Sequence, residues 1–486
     1  MTTMHLQLDR SSGIPIYRQI YNGMRRAILD GGLTPGQQLP STRAFATDLE
    51  VSRLTVLTAF DQLVSEGYIE GRVGAGTYVS AAVPDDLIRP SPPQDPPKRA
   101  RRRAPFPLKP RDEGGLGPFR MSLPALDEFP HAAWARLVGR HARSLSQPDM
   151  AYGDPAGAAP LRHAIAEHLR TARMVRCEAE QVLIVSGSQA ALRLAAAVLL
   201  GPGDRVAAED PGSPLIRGAL SAGGAEVVPV PVDREGISVA SLPRRSARIR
   251  AAYVTPSHQY PLGISMTVSR RFALLDWASR QEAWILEDDY DSEYRYVSRP
   301  LGSLQGMDAH ERVIYIGTFS KVLFPSIRVG YLVVPPALWQ RFVDAREMFD
   351  LFSPTLYQLA LAEFLRTGHF ARHLRRMRVV YRARRDALLA GLALHCRDRL
   401  WVLNADAGLH IAVMLADGLD DLDIVRRLSE RRVTAVALST CYAEGTGRSG
   451  LLLGFGGSDE RQLLAATRVL GEVLHDPGAA TPARGG

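Results

Sequence analysis

The chain has 486 residues, a formal net charge of +8 and 46% hydrophobic residues. This length predicts two or three domains, and no apolar run of 18 or more residues suggests a membrane span. The three cysteines, Cys177, Cys396 and Cys441, are odd in number and far apart. They therefore predict neither a disulfide framework nor a zinc site, and fit a reducing cytoplasm. The N-terminus lacks the apolar core of a signal peptide, and the positive charge permits a nucleic-acid partner.

A proline-rich, basic stretch divides the chain into two parts. Prolines are dense between residues 84 and 118, and the run Lys98-Arg-Ala-Arg-Arg-Arg103 lies among them. Such a composition cannot bury a core and predicts a semi-extended linker. We therefore predict a domain over 1–80, a linker over 81–117 and a larger domain over 118–486. Residues 1–80 carry equal numbers of basic and acidic side chains, so any DNA binding there depends on where the arginines lie.

The N-terminal domain begins with three predicted helices. The stretch "PIYRQIYNGMRRAILDGG" predicts an amphipathic helix with Pro15 in its first turn and a glycine pair at its end. Ser41 and Ser52 each occupy an N-cap position before a further helix, and the tight turn between these two helices predicts a helix-turn-helix motif. "YIEGRVGAGTYVS" then predicts a hairpin with a glycine-rich tip.

This order of elements resembles the GntR family of winged-helix regulators, and "LPSTR", "VSRLTV" and "GAGTYV" carry the resemblance. The resemblance implies binding to double-stranded promoter DNA, with the recognition helix in the major groove. The residues it implies at the DNA are Arg43 on the first helix of the motif, Ser52, Arg53 and Thr55 at the start of the recognition helix, and Gly74 and Gly76 in the wing. Leu57 stands where the family often has a basic residue, which predicts reduced base readout there. The alternative is a small helical interaction module.

Apolar strands alternate with helices between residues 160 and 335. The predicted buried strands cover 182–186, 205–210, 248–256, 283–290, 312–317 and 328–335. Strands separated by helices predict a mainly parallel α/β sheet. Ligands of such sheets gather at the carboxyl ends of the strands.

Two stretches at these strand ends carry polar residues. In "SGSQAAL", Ser188 and Gln189 open a helix, which predicts a phosphate site at the helix N-terminus or a purely structural cap. In "ILEDDYDSEY", Asp288 and Asp289 follow a buried strand, where a carboxylate can keep a pyridinium nitrogen protonated. The alternative is a pair of capping or metal-binding acids, but no histidine cluster in the sequence supports a metal site.

A third stretch contains an isolated lysine. Of the 59 lysines and arginines, only Lys98, Lys109 and Lys321 are lysine. A guanidinium stays protonated at any usable pH, whereas a buried lysine can lose its proton and attack an aldehyde. In "TFSKVLFPSIRVG", hydroxyls precede Lys321 and Arg328 follows it. An amine beside phosphate ligands predicts a Schiff base with pyridoxal phosphate (PLP); the alternative is a leftover surface lysine.

In combination, these stretches resemble fold-type I aminotransferases over about residues 118–470. With "YGDPAGAAPLRHAIAEHL", "EDPG" and "TPSHQYPLG", and joined to a GntR-like head, the chain is similar to MocR-type transcription regulators. The resemblance implies an α/β PLP-dependent transferase fold of type I with a smaller C-terminal α+β subdomain, and a homodimer. It implies that Lys321 forms the Schiff base, that Asp288 (or Asp289) pairs with the pyridine nitrogen, and that Tyr290 contacts the phenolic oxygen. The phosphate ligands it implies are Ser188, Gln189, Thr318, Ser320 and Arg328, with Tyr152 from the partner subunit. His258 and Gln259 replace the asparagine that enzymes of this fold have near the ring.

Two departures from the family pattern concern a ligand carboxylate. Leu215 and Leu452 stand where regulators that sense an amino acid can carry arginines, and Ser213 replaces an aromatic residue that stacks on the ring. Arg217 and Arg448 lie close in sequence and supply a guanidinium if the alignment shifts.

The sequence therefore predicts a cytoplasmic, PLP-dependent, DNA-binding regulator that responds to a small-molecule effector. The missing arginines make PLP itself the leading effector. One alternative is a working aminotransferase with an accessory DNA-binding domain. Another is a scaffold that has lost PLP, which Lys321 argues against.

Overall fold

The computed structural model describes residues 6–72, 75–81, 116–242, 249–296, 302–443 and 447–476. The chain divides into two compact units, Met1–Pro107 and Leu108–Gly486. Most of the predicted linker over 81–117, including its basic run, lies outside the described residues. In the described part of the chain, no helix has the length and apolar character that a membrane crossing needs.

The first unit consists of three helices and a hairpin. The helices are α1 (Ile16–Leu29), α2 (Thr42–Asp48) and α3 (Arg53–Ser65), followed by the antiparallel strands β1 (Ile69–Arg72) and β2 (Gly76–Val79). Ser41 Oγ accepts a hydrogen bond from the Ala44 amide, and Ser52 Oγ accepts one from Thr55, so each serine caps a helix of the motif. The core is formed by apolar residues of all three helices and the hairpin, including Ile20, Met24, Phe45, Val56, Phe60 and Leu63.

The second unit contains an eight-stranded sheet in the order β3-β10-β9-β8-β7-β4-β5-β6. Its strands are β3 (Val182–Val185), β4 (Arg205–Asp210), β5 (Glu226–Asp233), β6 (Gly236–Ile237), β7 (Ile249–Val254), β8 (Trp284–Asp289), β9 (Val313–Thr318) and β10 (Gly330–Val333). The five strands from β9 to β5 are parallel, whereas β10 is antiparallel to both β3 and β9. The predicted α/β sheet is confirmed, and β5 and β6 are strands that the sequence pattern missed.

Helices cover this sheet and lead to a smaller subdomain. The helices before the last sheet strand are α4 (His131–Ser144), α5 (Ala159–Arg173), α6 (Ser188–Leu199), α7 (Pro214–Ser221) and α8 (Val268–Gln281), with single turns at Gln147–Met150 and Leu304–Met307. They are followed by α9 (Trp339–Asp350), α10 (Thr355–Arg366) and the long α11 (His369–His395).

The smaller subdomain is a four-stranded antiparallel sheet with helices against it. Its elements are β11 (Leu400–Asn404), β12 (His410–Leu415), α12 (Asp421–Glu430), β13 (Val436–Ala437), β14 (Gly450–Gly454) and α13 (Glu460–His475). The strand order is β11-β12-β14-β13. This is the smaller C-terminal α+β subdomain that the resemblance implies.

Candidate cofactor site and DNA interface

The start of α6 forms a cradle at the end of strand β3. Gly187, which caps α6, has φ 110°, a conformation that favours glycine. A Cβ on Gly187 would lie 3.2 Å from Arg328 Nη1, so the absence of a side chain there makes room for the guanidinium. Arg328 itself has φ 50°, a left-handed backbone that a non-glycine residue adopts only when its surroundings hold it. Helix amides and a guanidinium together suit a phosphate group.

The other predicted phosphate ligands lie at the start of α6 and directly after β9. Ser188 and Gln189 are the first two residues of α6 and are partly buried. Thr318 ends β9 and is buried, and its Oγ1 accepts a hydrogen bond from the Ser320 amide at 3.2 Å. Strand pairing places β9 and β3 on either side of β10. The sheet topology thus places the polar residues that follow β3 and those that follow β9 at ends of strands separated by a single strand.

Lys321 lies partly buried after β9, in an environment that lowers the pKa of its amine. Burial lowers the pKa of Lys321 to about 8, although the nearby carboxylates of Asp291 and Asp288 act in the opposite direction. The ammonium donates a hydrogen bond of 3.2 Å to the carbonyl oxygen of Ser122. A lysine with a pKa near 8 supplies far more nucleophile at neutral pH than an ordinary lysine.

Adjacent acids at the end of β8 have different environments. Asp288 Oδ2 accepts a hydrogen bond from the Tyr253 hydroxyl at 2.8 Å, while no described residue donates to its buried Oδ1. Burial raises the pKa of Asp288 to about 7. By contrast, Asp289 forms a buried ion pair with Arg173 at 2.8 Å and accepts a bond from the Tyr315 hydroxyl at 2.5 Å. Asp289 Oδ1 also has no described donor, so the two acids differ in charge compensation: an arginine pairs with Asp289, whereas Asp288 has only a tyrosine hydroxyl.

A buried polar cluster surrounds Tyr290. Its hydroxyl donates to the carbonyl oxygen of His258 at 2.9 Å and lies 3.1 Å from His258 Nδ1. The same Nδ1 lies 3.1 Å from both carboxylate oxygens of Asp291. His258, Asp291 and His410 offer ligand atoms within 4.8 Å of one another, a potential metal-binding group that the sequence did not predict. His258 and Asp291 are already hydrogen-bonded to each other. His410 Nε2 contacts the carbonyl oxygen of Pro261 at 3.1 Å.

Gln259 is hydrogen-bonded to the backbone of two turns. Its amide nitrogen donates to the carbonyl oxygens of Pro211 and Tyr260 at 2.9 and 2.6 Å, and its Oε1 accepts from the Leu262 amide at 3.1 Å. These bonds occupy the side chain in holding together the turns that follow β4 and β7. Of the two residues predicted to lie near the cofactor ring, His258 is thus the one in contact with Tyr290.

The predicted DNA contacts lie at the start of α3 and on α2. Arg43, Ser52 and Arg53 are exposed, and Thr55 is partly buried. Arg53 Nε lies 3.5 Å from Thr42 Oγ1, which joins the two helices of the motif. The Ser52 hydroxyl contacts Thr55 Oγ1 at 2.7 Å in addition to its capping bond. Ser52 and Thr55 therefore have a structural role, and Arg53 is the charged group at the exposed start of α3.

The hairpin and the middle of α3 complete this surface. Gly76 has φ 108°, and Gln38 Nε2 lies 3.1 Å from the position of a Cβ on it. Gly74 lies outside the described residues. Leu54 exposes 72% of its surface beside Arg53. The sequence pattern does not reveal this apolar group, because periodicity identifies only buried faces.

Comparisons with known proteins agree with both units. Residues 16–79 match the family of bacterial regulatory proteins of the gntR family, and residues 125–452 match aminotransferase class I and II. The probable rhizopine catabolism regulatory protein MocR of Rhizobium meliloti is 39% identical over 94% of this chain and 93% of its own length. The pyridoxine biosynthesis transcriptional regulator PdxR of Corynebacterium glutamicum is 36% identical over 95% and 97%.

This chain belongs to the MocR-type GntR regulators. Among solved structures, the α-aminoadipate aminotransferase LysN of Thermus thermophilus, in complex with N-(5'-phosphopyridoxyl)-L-leucine, has a TM-score of 0.69 and 31% identity. The likeness covers 74% of this chain and 92% of that structure. The predicted fold-type I architecture and the predicted family are confirmed, and the likeness to PLP-dependent aminotransferases implies that this MocR-type regulator binds PLP.

The two positions at which the resemblance predicts that an amino-acid sensor can carry arginine are occupied by leucine. Leu215 lies on α7 and exposes 73% of its surface. Leu452 lies on β14, fully buried in a cluster with Ala412, Met414 and Leu438. Neither residue offers a carboxylate a charged partner.

The arginines nearest in sequence to these leucines are placed differently. Arg217 Nη1 donates to the carbonyl oxygens of Gly212 and Cys441 at 3.0 and 2.8 Å, so its guanidinium holds backbone. Arg448 is exposed. Because Arg217 is bound to backbone carbonyls, its contacts do not support the alternative alignment in which it binds a ligand carboxylate.

Tyr152 is prominently exposed in this regulator. Its ring exposes 85% of its surface and packs edge-on against Phe352, with ring centroids 6.1 Å apart. Met150, Met348 and Phe349 are other large apolar residues with exposed surfaces in this unit. Exposed apolar side chains of this size are typical of surfaces that a partner covers.

Proposed function

We propose that the chain is a cytoplasmic, homodimeric transcription regulator whose aminotransferase-like unit senses PLP through Lys321. The observation that carries this proposal is a lysine with a lowered pKa near Asp288, a buried acid whose Oδ1 has no described donor. The phosphate cradle of Gly187 and Arg328 supports it. A relative named for regulating pyridoxine biosynthesis, 36% identical over 95% of this chain, points to the same ligand.

Each part of PLP has a matching group in this unit. When bound, PLP supplies an aldehyde that condenses with an amine, together with a pyridine ring that withdraws electrons. Asp288 would hold the proton on the ring nitrogen through its free Oδ1, and Tyr290 would orient the phenolic oxygen. The phosphate would be held by Ser188, Gln189, Thr318, Ser320 and Arg328, with Tyr152 of the partner subunit.

The first unit would bind double-stranded promoter DNA. Arg53 and Arg43 would contact the backbone or base edges, Ser52 and Thr55 would set the start of the recognition helix, and Gly74 and Gly76 would form the wing. A homodimer would present two such units to two half-sites, as two-fold symmetric regulators do.

A working aminotransferase is the second candidate, because the proposed roles of the lysine, the Asp288 carboxylate and the phosphate cradle would serve it equally. The apolar residues at 215 and 452 argue against it. A carboxylate brought into a water-poor pocket needs a charge-assisted partner, and bidentate arginine is the usual one.

One titration separates the two functions. Apo-protein on promoter DNA is titrated first with PLP and then with a panel of amino acids, while absorbance is recorded. We expect DNA affinity to change with PLP and to change little with amino acids. A strong response to one amino acid, with rapid conversion of the cofactor to its amine form, would favour the enzyme. No visible band with added PLP would remove the cofactor from the proposal.

A further inference from the structure

The first described residues of the second unit connect the linker end of the chain to Lys321. Within residues 116–123, the carbonyl oxygen of Ser122 accepts the hydrogen bond from Lys321 Nζ at 3.2 Å. The same stretch contacts the smaller subdomain. Gly454 at the end of β14 donates its amide hydrogen to the Phe119 carbonyl at 3.0 Å, and Thr434 donates to the Pro118 carbonyl at 3.1 Å. We call residues 116–123 the entry segment.

The entry segment contains two strained residues. Phe119 has φ 62° and Ser122 has φ 65°, left-handed conformations that side chains other than glycine disfavour. Such residues persist only where the surroundings hold them. Phe119 is fully buried in the core and is held by packing. Ser122 is partly buried, and the bond from Lys321 is the contact that fixes its carbonyl.

Chemistry at Lys321 must change this bond. An ammonium loses one proton to solvent to become the neutral amine. Condensation with an aldehyde then forms a carbon–nitrogen double bond and releases water, which carries the aldehyde oxygen and both amine hydrogens. The nitrogen no longer has the three donors of an ammonium. The charged groups that face it, Asp288 and Asp291, accept hydrogen bonds and cannot replace the donor that Ser122 loses.

We infer that the Lys321–Ser122 hydrogen bond is the switch by which ligand binding reaches the linker. While Lys321 is an ammonium, it holds Ser122 in its strained conformation and keeps the entry segment against β14. Once the nitrogen is bonded to an aldehyde carbon, Ser122 relaxes and the contacts of Pro118 and Phe119 weaken. Because the entry segment directly follows the linker in sequence, this release frees the point at which the linker joins the aminotransferase-like unit. The identification of the aldehyde as PLP rests on the proposed function, whereas the hydrogen bond between Lys321 and Ser122 is observed without any ligand.

Hydrogen exchange of the full-length protein tests this switch. The amides of Gly454 and Thr434 donate to the entry segment, whereas the amide of Phe455 donates to Leu409 and serves as an internal reference. Exchange is measured for the protein without ligand, with PLP, and with pyridoxamine 5'-phosphate. The last compound has the same ring and phosphate as PLP but no aldehyde. We expect PLP to accelerate exchange at Gly454 and Thr434 by about fivefold, the effect of losing one net hydrogen bond. Phe455 should stay unchanged, and the amine form should have no effect.

A lysine variant separates this inference from the proposed function. Lys321→Met removes the donor without any ligand, so we expect exchange at Gly454 and Thr434 as fast as in the PLP-bound protein. If wild type shows no visible band with PLP, the proposed function fails while this variant still tests the switch. Slow exchange in Lys321→Met, or equal acceleration by pyridoxamine 5'-phosphate, would overturn the inference.

Substitutions at Ser122 test the role of strain. Ser122→Gly keeps the carbonyl but removes the cost of φ 65°, so the segment should stay in place when the bond is lost and the PLP response should fall toward zero. Ser122→Val disfavours the left-handed conformation further, so exchange should be fast even without PLP. Asp398→Gly, at another left-handed residue (φ 62°), is the matched control and should respond like wild type. A normal PLP response in Ser122→Gly would exclude strain as the driving force.

Discussion

The two units assemble their functional surfaces in opposite ways. In the DNA-binding unit, Ser52, Arg53 and Thr55 are near neighbours in sequence at the start of one helix. In the aminotransferase-like unit, Ser188, Asp288 and Lys321 come from three strand ends far apart in sequence. The first surface depends on a helix cap and a turn, whereas the second depends on the order of strands in a sheet. Changes in the first unit should therefore have modest, local effects, and changes in the second should have larger ones.

The largest expected effect is at Lys321. We expect Lys321→Ala to abolish the visible absorbance band formed with PLP, because no other lysine lies within residues 118–486. Lys109→Ala, a lysine before that domain, is the control and should keep the band. A band that survives in Lys321→Ala would show that another amine reacts.

The next effect tests the adjacent acids of β8. Asp289→Asn removes the carboxylate that pairs with buried Arg173, and we expect the free energy of unfolding to fall by about 3–5 kcal/mol. Asp288→Asn retains an acceptor for Tyr253 and should cost about 1 kcal/mol or less. Urea unfolding of both variants measures the difference. Equal losses would mean that the two acids do not differ in structural role.

An intermediate effect is expected in the DNA-binding unit. Arg53→Ala should weaken promoter binding by about 1–3 kcal/mol and leave the absorbance with PLP unchanged. Arg18→Ala, an exposed arginine of α1 outside the helix-turn-helix motif, is the matched control. Anisotropy titrations at several salt concentrations measure both. Unchanged affinity in Arg53→Ala would remove this residue from the interface.

The pH dependence of condensation with PLP tests whether the pKa of Lys321 is lowered. Only the neutral amine reacts, and burial lowers the pKa of Lys321 to about 8. The rate with PLP should rise about tenfold per pH unit below that value and level off above it. Asp288 favours the ammonium, so Asp288→Asn should move the plateau to lower pH. A rate that keeps rising toward pH 10 would indicate an ordinary, solvated lysine.

The smallest expected effect is at a helix cap. Ser52→Ala removes the side chain that caps α3 and should destabilise the first unit by about 1 kcal/mol. Thermal unfolding of the full chain, followed by a probe in residues 6–81, measures this loss. The absorbance with PLP should not change. A larger loss would mean that the cap also supports long-range packing.

Features that depend on local rules can be predicted from the amino-acid sequence. The capped helices of the first unit and the isolated lysine can be read from neighbouring residues, because caps and turns involve residues a few positions apart. The alternation of strands and helices also predicted the α/β sheet. The strand β10 was predicted, but its antiparallel direction was not, since strand direction depends on connections and pairing partners rather than on composition. The strands β5 and β6 were missed altogether.

Contacts between residues far apart in sequence depend on the packing of the whole chain. Asp288 and Asp289 are equivalent in the sequence, but successive side chains of a strand point to opposite faces. Asp289 therefore forms an ion pair with Arg173, while Asp288 accepts a hydrogen bond from the neutral Tyr253 hydroxyl. The bond between Ser122 and Lys321 and the occupation of Arg217 by backbone carbonyls join residues about 200 positions apart. No local pattern encodes such contacts, because they arise only when the whole sheet and the smaller subdomain have packed together.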